Sequence, residues 1–199
     1  MKKSTIAIIV VFLILFFDQA LKIWIKTHMV LGDEFKITDW FIVHFTENYG
    51  MAFGMEFGGS IGKLILSIFR LVAIVAIIWY IVKLVKEKAS TGLIISVSMI
   101  LAGAIGNIID SAFYGMIFNE SYYQVAQFLP HGGGYASFLH GKVVDMLYFP
   151  LINEHFPHWV PVWGGEDFEF FRPVFNLADS SITVGVGIIL IFQKKFFKE

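Results

Sequence analysis

The chain has 199 residues, 57% of them hydrophobic and only 16% charged, with a formal net charge of −1. So apolar a composition excludes an ordinary soluble domain and points to an integral membrane protein. There is no basic stripe or nucleic-acid motif, which excludes nucleic acid as a partner, and no cysteine, which excludes disulfides, thiol chemistry and Cys-ligated zinc.

Met1-Lys2-Lys3 followed by the apolar run Ile6 to Phe17 has the outline of an export signal. No small-x-small cleavage site follows, however, and the apolar run continues past Asp18 through Leu21, Ile23, Trp24 and Ile25. Residues 5–25 are therefore expected to be a retained first membrane span. Asp18 and Lys22 stand four apart, so they can pair on one helical face and lower the cost of burying either. Residues 27–60 form a first non-spanning region. Within it, Phe35 to Thr46 is rich in β-branched and aromatic residues and reads as a strand. Glu47-Asn48-Tyr49-Gly50-Met51-Ala52-Phe53-Gly54 follows, with Gly58-Gly59 beyond. Its glycines mark turns or close backbone approach, and by composition alone it is an ordinary loop.

A second span is expected at 61–82, interrupted by Arg70, a charge that must snorkel or find a carboxylate. A short basic connection, Lys83 to Lys88, leads to a third span at 91–112. There Gly103, Gly106, Asn107 and Asp110 fall at i, i+3, i+4 and i+7 and share one face. Close helix packing accounts for the glycines but not for Asn107 and Asp110. Residues 113–172 form a second non-spanning region. It holds a flexible Gly132-Gly133-Gly134, a strand-like Lys142 to Phe149, and an aromatic, Pro-rich stretch from Phe156 to Phe171 whose Trp159 and Trp163 suit a membrane interface. The fourth span is expected at 174–192, ahead of Lys194, Lys195 and Lys198. Asp179 then lies about two turns inside it, where a carboxylate costs at least ~2.5 kcal/mol to insert. Asn176 stands three residues earlier on the same face.

Four spans put both termini on one side. Lys2, Lys3, Lys83, Lys86, Lys88, Lys194, Lys195 and Lys198 all lie at the ends or in the 83–90 connection, whereas the 113–172 region carries only Lys142 and Arg172. The positive-inside rule places both termini in the cytoplasm and both long regions outside. The expected fold is a membrane all-α protein with a small β element: one integral membrane domain of four transmembrane helices, an extracytoplasmic β-platform and a loop insertion. This topology carries Asp18, Asn107, Asp110, Asn176 and Asp179 to the outer ends of their spans, with Asp145 in the outer region close to the membrane surface. The histidines (His28, His44, His131, His140, His155, His158) are scattered without ligand spacing, so no metal is expected. No G-x-S-x-G elbow accompanies Ser180 or Ser181. What remains is a pair of carboxylates sharing one proton, base and acid in turn, which is the chemistry of aspartic proteolysis. A small ion- or proton-coupled transporter would use similar residues, and is disfavoured because no acidic residue lies in the inner half of spans one, three or four. On spacing alone, Asp110 and Asp145 are equal candidates to partner Asp179.

Five motifs, in order along nearly the whole chain, resemble the bacterial lipoprotein signal peptidases (signal peptidase II). They are Asp18-Gln19-x-x-Lys22, Asn48-x-Gly50-x-Ala52-Phe53, Gly106-Asn107-x-x-Asp110, Val143-Val144-Asp145 and Phe175-Asn176-x-Ala178-Asp179. Each is short, but five in register are specific. The resemblance implies a four-helix aspartyl endopeptidase of the bacterial cytoplasmic (inner) membrane, acting near the outer leaflet as a monomer without a cofactor. It would cleave the signal peptide of a prolipoprotein N-terminal to a diacylglyceryl cysteine whose lipid chains lie in the bilayer. It further implies Asp145 and Asp179 as the catalytic pair. Asn48, Gly50, Asn107, Asp110 and Asn176 would position substrate and pair, and Asp18 with Lys22 would stabilise the fold near the site. Two departures stand out: the family usually has Arg directly after the aspartate of the third motif, where this chain has Ser111, and the interval from Asp145 to Asp179 is longer than usual.

Overall fold

The structure is a computed structural model and describes residues 1–50, 59–155, 157–170 and 173–197. Motif positions Ala52 and Phe53, the glycines Gly54 and Gly58, the ends Phe156 and Phe171 of the aromatic stretch, and the charges Arg172 and Lys198 lie outside the described residues.

Mostly apolar sequence, free of proline, forms three long helices: α1 (Lys3–His28), α2 (Gly59–Lys86) and α3 (Thr91–Ile109). Ser90 caps α3 by accepting from the Leu93 N–H at 3.3 Å. All three are long and apolar enough to cross a membrane. α1 and α2 leave most of their apolar surface exposed, whereas α3 is largely buried and packs against α1, α2 and α5 (Leu177–Ile191). Packing of α3 on α5 is close because Gly103 and Gly185 face the partner helix. A Cβ on Gly103 would run into the Ala178 carbonyl, and one on Gly185 into the Ser96 carbonyl. Lys3 Nζ donates to the carbonyls of Lys88 (2.7 Å) and Ala89. Phe196, in the terminal turn α6 (Gln193–Phe196), packs on the cluster that includes Leu84 and Leu93. The two chain ends and the 87–90 connection thus share one end of the bundle.

The third membrane segment differs from the expected 91–112. It continues beyond Ile109 through a π-helical turn, Asp110–Tyr114, and a last α turn, α4 (Gly115–Ile117). The wide turn frees main-chain carbonyls, and a neighbouring segment takes them up. The N–H groups of Gly141, Leu139 and Ala136 donate to the carbonyls of Ser111 (2.9 Å), Ala112 (3.4 Å) and Gly115 (2.8 Å). Within the expected flexible glycine run, Gly133 has φ +84° but Gly134 is wedged against the Gly115 and Met116 backbone.

The expected single strand at 35–46 is a hairpin. β1 (Glu34–Thr38) and β2 (Phe41–Asn48) pair antiparallel, with Thr38 opposite Phe41 across a turn at Asp39-Trp40. No Gly or Asn-Gly announces that turn, and the Lys36–Asp39 ion pair at 2.7 Å braces it. β3 (Val143–Tyr148) adds to β2, giving the sheet order β1-β2-β3. The longer interval before Asp179 contains a second hairpin, β4 (Ile152–His155) with β5 (Asp167–Phe170).

α5 also differs from the expected 174–192. Residues 173–176 are extended, because Phe175 bridges to Leu147: its N–H donates to the Leu147 carbonyl at 3.0 Å, and its carbonyl accepts from the Leu147 N–H at 2.7 Å. The helix starts only at Leu177, so Asp179 sits in the first turn, not two turns inside. There a carboxylate faces the positive end of the helix dipole instead of bare hydrocarbon.

Candidate active site

β3 is the strip against which the site assembles. Its register places Thr46 opposite Asp145 and Asn48 opposite Val143, so Asn48 and Asp145 are diagonal neighbours on one face. Asn48 Nδ2 donates to Asp145 Oδ2. The end of β2 is pinned by its neighbour Glu47, which is buried against Lys26 of α1 and accepts from Ser121 Oγ at 3.0 Å. On the other edge, the Phe175 bridge brings Asn176 to Asp145. Asn176 Nδ2 donates to Asp145 Oδ1 at 2.7 Å, to the Val144 carbonyl at 3.2 Å and to Asn107 Oδ1 at 3.1 Å. Asn176 is also the N-cap of α5, its Oδ1 accepting from the Asp179 N–H at 2.9 Å. From α3, Asn107 Nδ2 donates to Asp179 Oδ1 at 2.7 Å. Two carboxylates from different elements therefore meet across two amides, each holding one and touching the other amide.

Asp145 is only 4% exposed. Burial first, and the charge of Asp179 second, push its carboxyl up to about 7, against the hydrogen bond from Asn176. Near neutral pH Asp145 is thus still partly protonated, where an isolated aspartate would have lost its proton.

The remaining acidic groups are already committed. Lys22 Nζ lies 3.0 Å from Asp18 Oδ2 and 2.8 Å from Asp110 Oδ2, and donates to Asn107 Oδ1 at 3.0 Å. Asp18 Oδ1 accepts from the Ala178 N–H at 2.9 Å, a second cap on α5. Gly106 makes room for it, since a Cβ there would come 2.8 Å from Asp18 Oδ2. Asp110 accepts from Gln19 Nε2 (3.0 Å) and the Val144 N–H (3.2 Å). Asp110 therefore holds β3 against α3, and both its oxygens are occupied.

Every site residue expected from the sequence falls within this one network except Gly50, which lies at its rim. Gly50 has φ +90°, and its N–H donates to Asn48 Oδ1. Gln19 and Tyr114 also take part, the Tyr114 hydroxyl donating to Gln19 Oε1 at 3.1 Å. Gln19 stood inside a motif without an assigned role. Arg70, expected only as an odd charge in the second span, proves to be one of a polar stripe on α2 with Lys63 and Ser67, at i, i+4 and i+7. They donate in turn to the carbonyls of Gly141, Leu139 (3.4 Å) and Gly50 (2.6 Å). That spacing was the available signal. Ser111 is buried, and its carbonyl accepts from the Gly141 N–H. Among the described residues no group of three or more His, Asp or Glu side chains is placed to hold a metal ion.

A family model described as signal peptidase (SPase) II matches residues 10–195. A lipoprotein signal peptidase from Porphyromonas gingivalis is 53% identical over 190 residues, 95% of this chain and 82% of that protein. Another from Amoebophilus asiaticus is 40% identical over 181 residues, 89% of this chain and 72% of that one. Among solved structures, a bacterial membrane enzyme determined by the in meso method at 1.9 Å resolution is similar with a TM-score of 0.59 and 26% identity, over 95% of this chain and 92% of that chain. A second, at 2.3 Å resolution, has a TM-score of 0.58 at 24% identity, over 97% of this chain and 91% of that chain, and shares the fold.

Proposed function

The chain belongs to the signal peptidase II family, and from that premise we propose that it is an aspartic endopeptidase with Asp145 and Asp179 as its catalytic pair. Its substrate is a prolipoprotein, cut N-terminal to a cysteine carrying diacylglycerol. The observation that carries this reading is the meeting of the two carboxylates through Asn176 and Asn107. Asp110, the alternative partner, has both oxygens committed to Lys22, Gln19 and the Val144 N–H. That favours Asp145.

The chemistry follows from the shared proton. Asp145, the carboxyl raised by burial, holds the proton and polarises the scissile carbonyl, while Asp179 takes a proton from the attacking water. Asn48 and Asn176 fix the plane of the Asp145 carboxyl, and Asn107 fixes that of Asp179. The tetrahedral adduct then collapses with cleavage of the C–N bond: Asp179 gives its proton to the leaving nitrogen, Asp145 takes one back from the adduct's hydroxyl, and the pair regains its starting protonation.

The fourth span, built on α5, the outward placement of the sheet and the cytoplasmic termini belong to the same proposal. The shared bundle end of the two termini and the lysine-rich connection supports it, as does the fit of a membrane-spanning signal peptidase to the bacterial inner membrane. The relatives carry the name of a peptidase, and nothing supports the transporter alternative.

Cleavage of a diacylglyceryl-modified prolipoprotein by the purified full chain tests the reading, with unlipidated precursor as control. The lipidated precursor is expected to be cut and the control spared. Activity retained by Asp145→Asn would overturn the assignment of the pair.

A further inference from the structure

We propose that Arg70 is a positioning residue of the site: its guanidinium locks the Asn48–Gly50 turn that orients one oxygen of Asp145, and supplies positive charge beside the carboxylates. This rests on the reading of Asp145 and Asp179 as the catalytic pair.

Three contacts run in series. Arg70 Nη2 donates to the Gly50 carbonyl at 2.6 Å, the Gly50 N–H donates to Asn48 Oδ1, and Asn48 Nδ2 donates to Asp145 Oδ2. The Gly50 N–H dictates which end of the Asn48 amide is oxygen, so the amide nitrogen must face Asp145. If the turn is free to rotate, that selection is lost. The fit at Gly50 is tight for two reasons: φ is +90°, and a Cβ would come 2.7 Å from Arg70 Nη1.

An arginine within a membrane-crossing helix calls for a compensating role, because the charge is expensive there. Among the described residues no carboxylate lies within ion-pair distance of Arg70. Instead Asp179 of α5, Asp110 of the π-helical turn and Asp145 of β3 all act on it electrostatically, with Lys63 of α2 as the like charge. Lys22 of α1 is engaged with Asp18 and Asp110. Lys22 acts on Asp145 while paired elsewhere, and Arg70 adds a second positive charge that both Asp179 and Asp145 feel; a guanidinium stays charged at every working pH.

The test is the pH dependence of cleavage of a diacylglyceryl-modified prolipoprotein by the full chain, with kcat and KM separated. Arg70→Gln is expected to lower kcat at least about tenfold with KM little changed, as misplacement of a reacting group does. Both limbs of its profile should move to higher pH by about one unit, because carboxylates that lose a nearby cation are harder to ionise. Arg70→Lys keeps the charge and should leave the limbs in place while kcat still falls, since a lysine cannot reproduce the fork. A folded Arg70→Gln with unmoved limbs and unchanged kcat overturns the proposal, and so does a defect confined to KM. Should Arg70→Gln fail to fold, Arg70→Lys decides, and a wild-type kcat there overturns it. Loss of the bell shape in the unmodified enzyme, or an active Asp145→Asn, would instead sink the catalytic pair and this proposal with it. The two failures are thus read from different arms.

Discussion

Asp110 and Asp145 are both buried aspartates of one network, and their partners set them apart. Asp110 balances a buried lysine, so Asp110→Asn should lower stability yet leave measurable turnover per folded molecule. Asp145→Asn and Asp179→Asn should each abolish cleavage with folded yield intact, and the double variant should be no worse than either, because the two act as a unit. Initial rates on protein normalised by its folded fraction check this. The pH dependence of stability carries a definite sign. Burial raises the Asp145 carboxyl to about 7, so folding favours its protonated form. The resulting handicap is absent below about pH 4, where the carboxyl is protonated folded or unfolded, and is complete above about pH 7. Asp145→Asn escapes it and should melt higher than the unmodified protein at pH 8 but equally at pH 4, as thermal unfolding in detergent would show. Lys22→Ala leaves Asp18 and Asp110 buried without their cation and should cost ~3 kcal/mol, appearing as lost folded yield more than lost turnover. A well-folded, inactive Lys22→Ala would reassign Lys22 to the chemistry.

Among the elements, helix periodicity was legible and helix ends were less so. The face shared by Gly103, Gly106, Asn107 and Asp110 is real, and its glycines let α3 and α5 approach. Gly103→Val should push the helices apart and cost ~2 kcal/mol by overpacking. It should also cost turnover, because the 2.7 Å bond from Asn107 to Asp179 crosses that contact. Thermal unfolding and cleavage rate measured on the same sample separate the two effects. Hydropathy sets the start of α5 three residues too early, at 174 instead of Leu177, because it does not register an extended approach. Asn176 followed three residues on by Asp179 is a capping pattern, and it pointed to Leu177 as the first helical residue. The Asp39-Trp40 turn gave no such sign. Neither did the π-helical turn, which depends on a distant segment collecting its freed carbonyls.

At the scale of the whole molecule, composition conveyed a membrane protein, and lysine placement conveyed which ends belong together. A reporter active only outside the cytoplasm should therefore signal when inserted at Gly133 and stay silent at 87–89 or after residue 199. The reverse pattern would invert the placement of the site. That the polar residues of distant spans converge was legible from the topology, whereas the bridge from Phe175 to Leu147 was not, since it depends on long-range pairing that no local pattern encodes. The polar stripe of α2 has one further consequence. Two of its three acceptors are main-chain carbonyls of residues 139 and 141, and a carbonyl exists whatever residue occupies the position. The agreement between that helix and that segment is written in chain length and not in side-chain identity. A change of residue at His140 leaves every acceptor in place. A single insertion or deletion between Gly134 and Leu139 moves both by one position and undoes the contacts of Lys63 and Ser67 together. This side of the site tolerates substitution and does not tolerate a slip of frame.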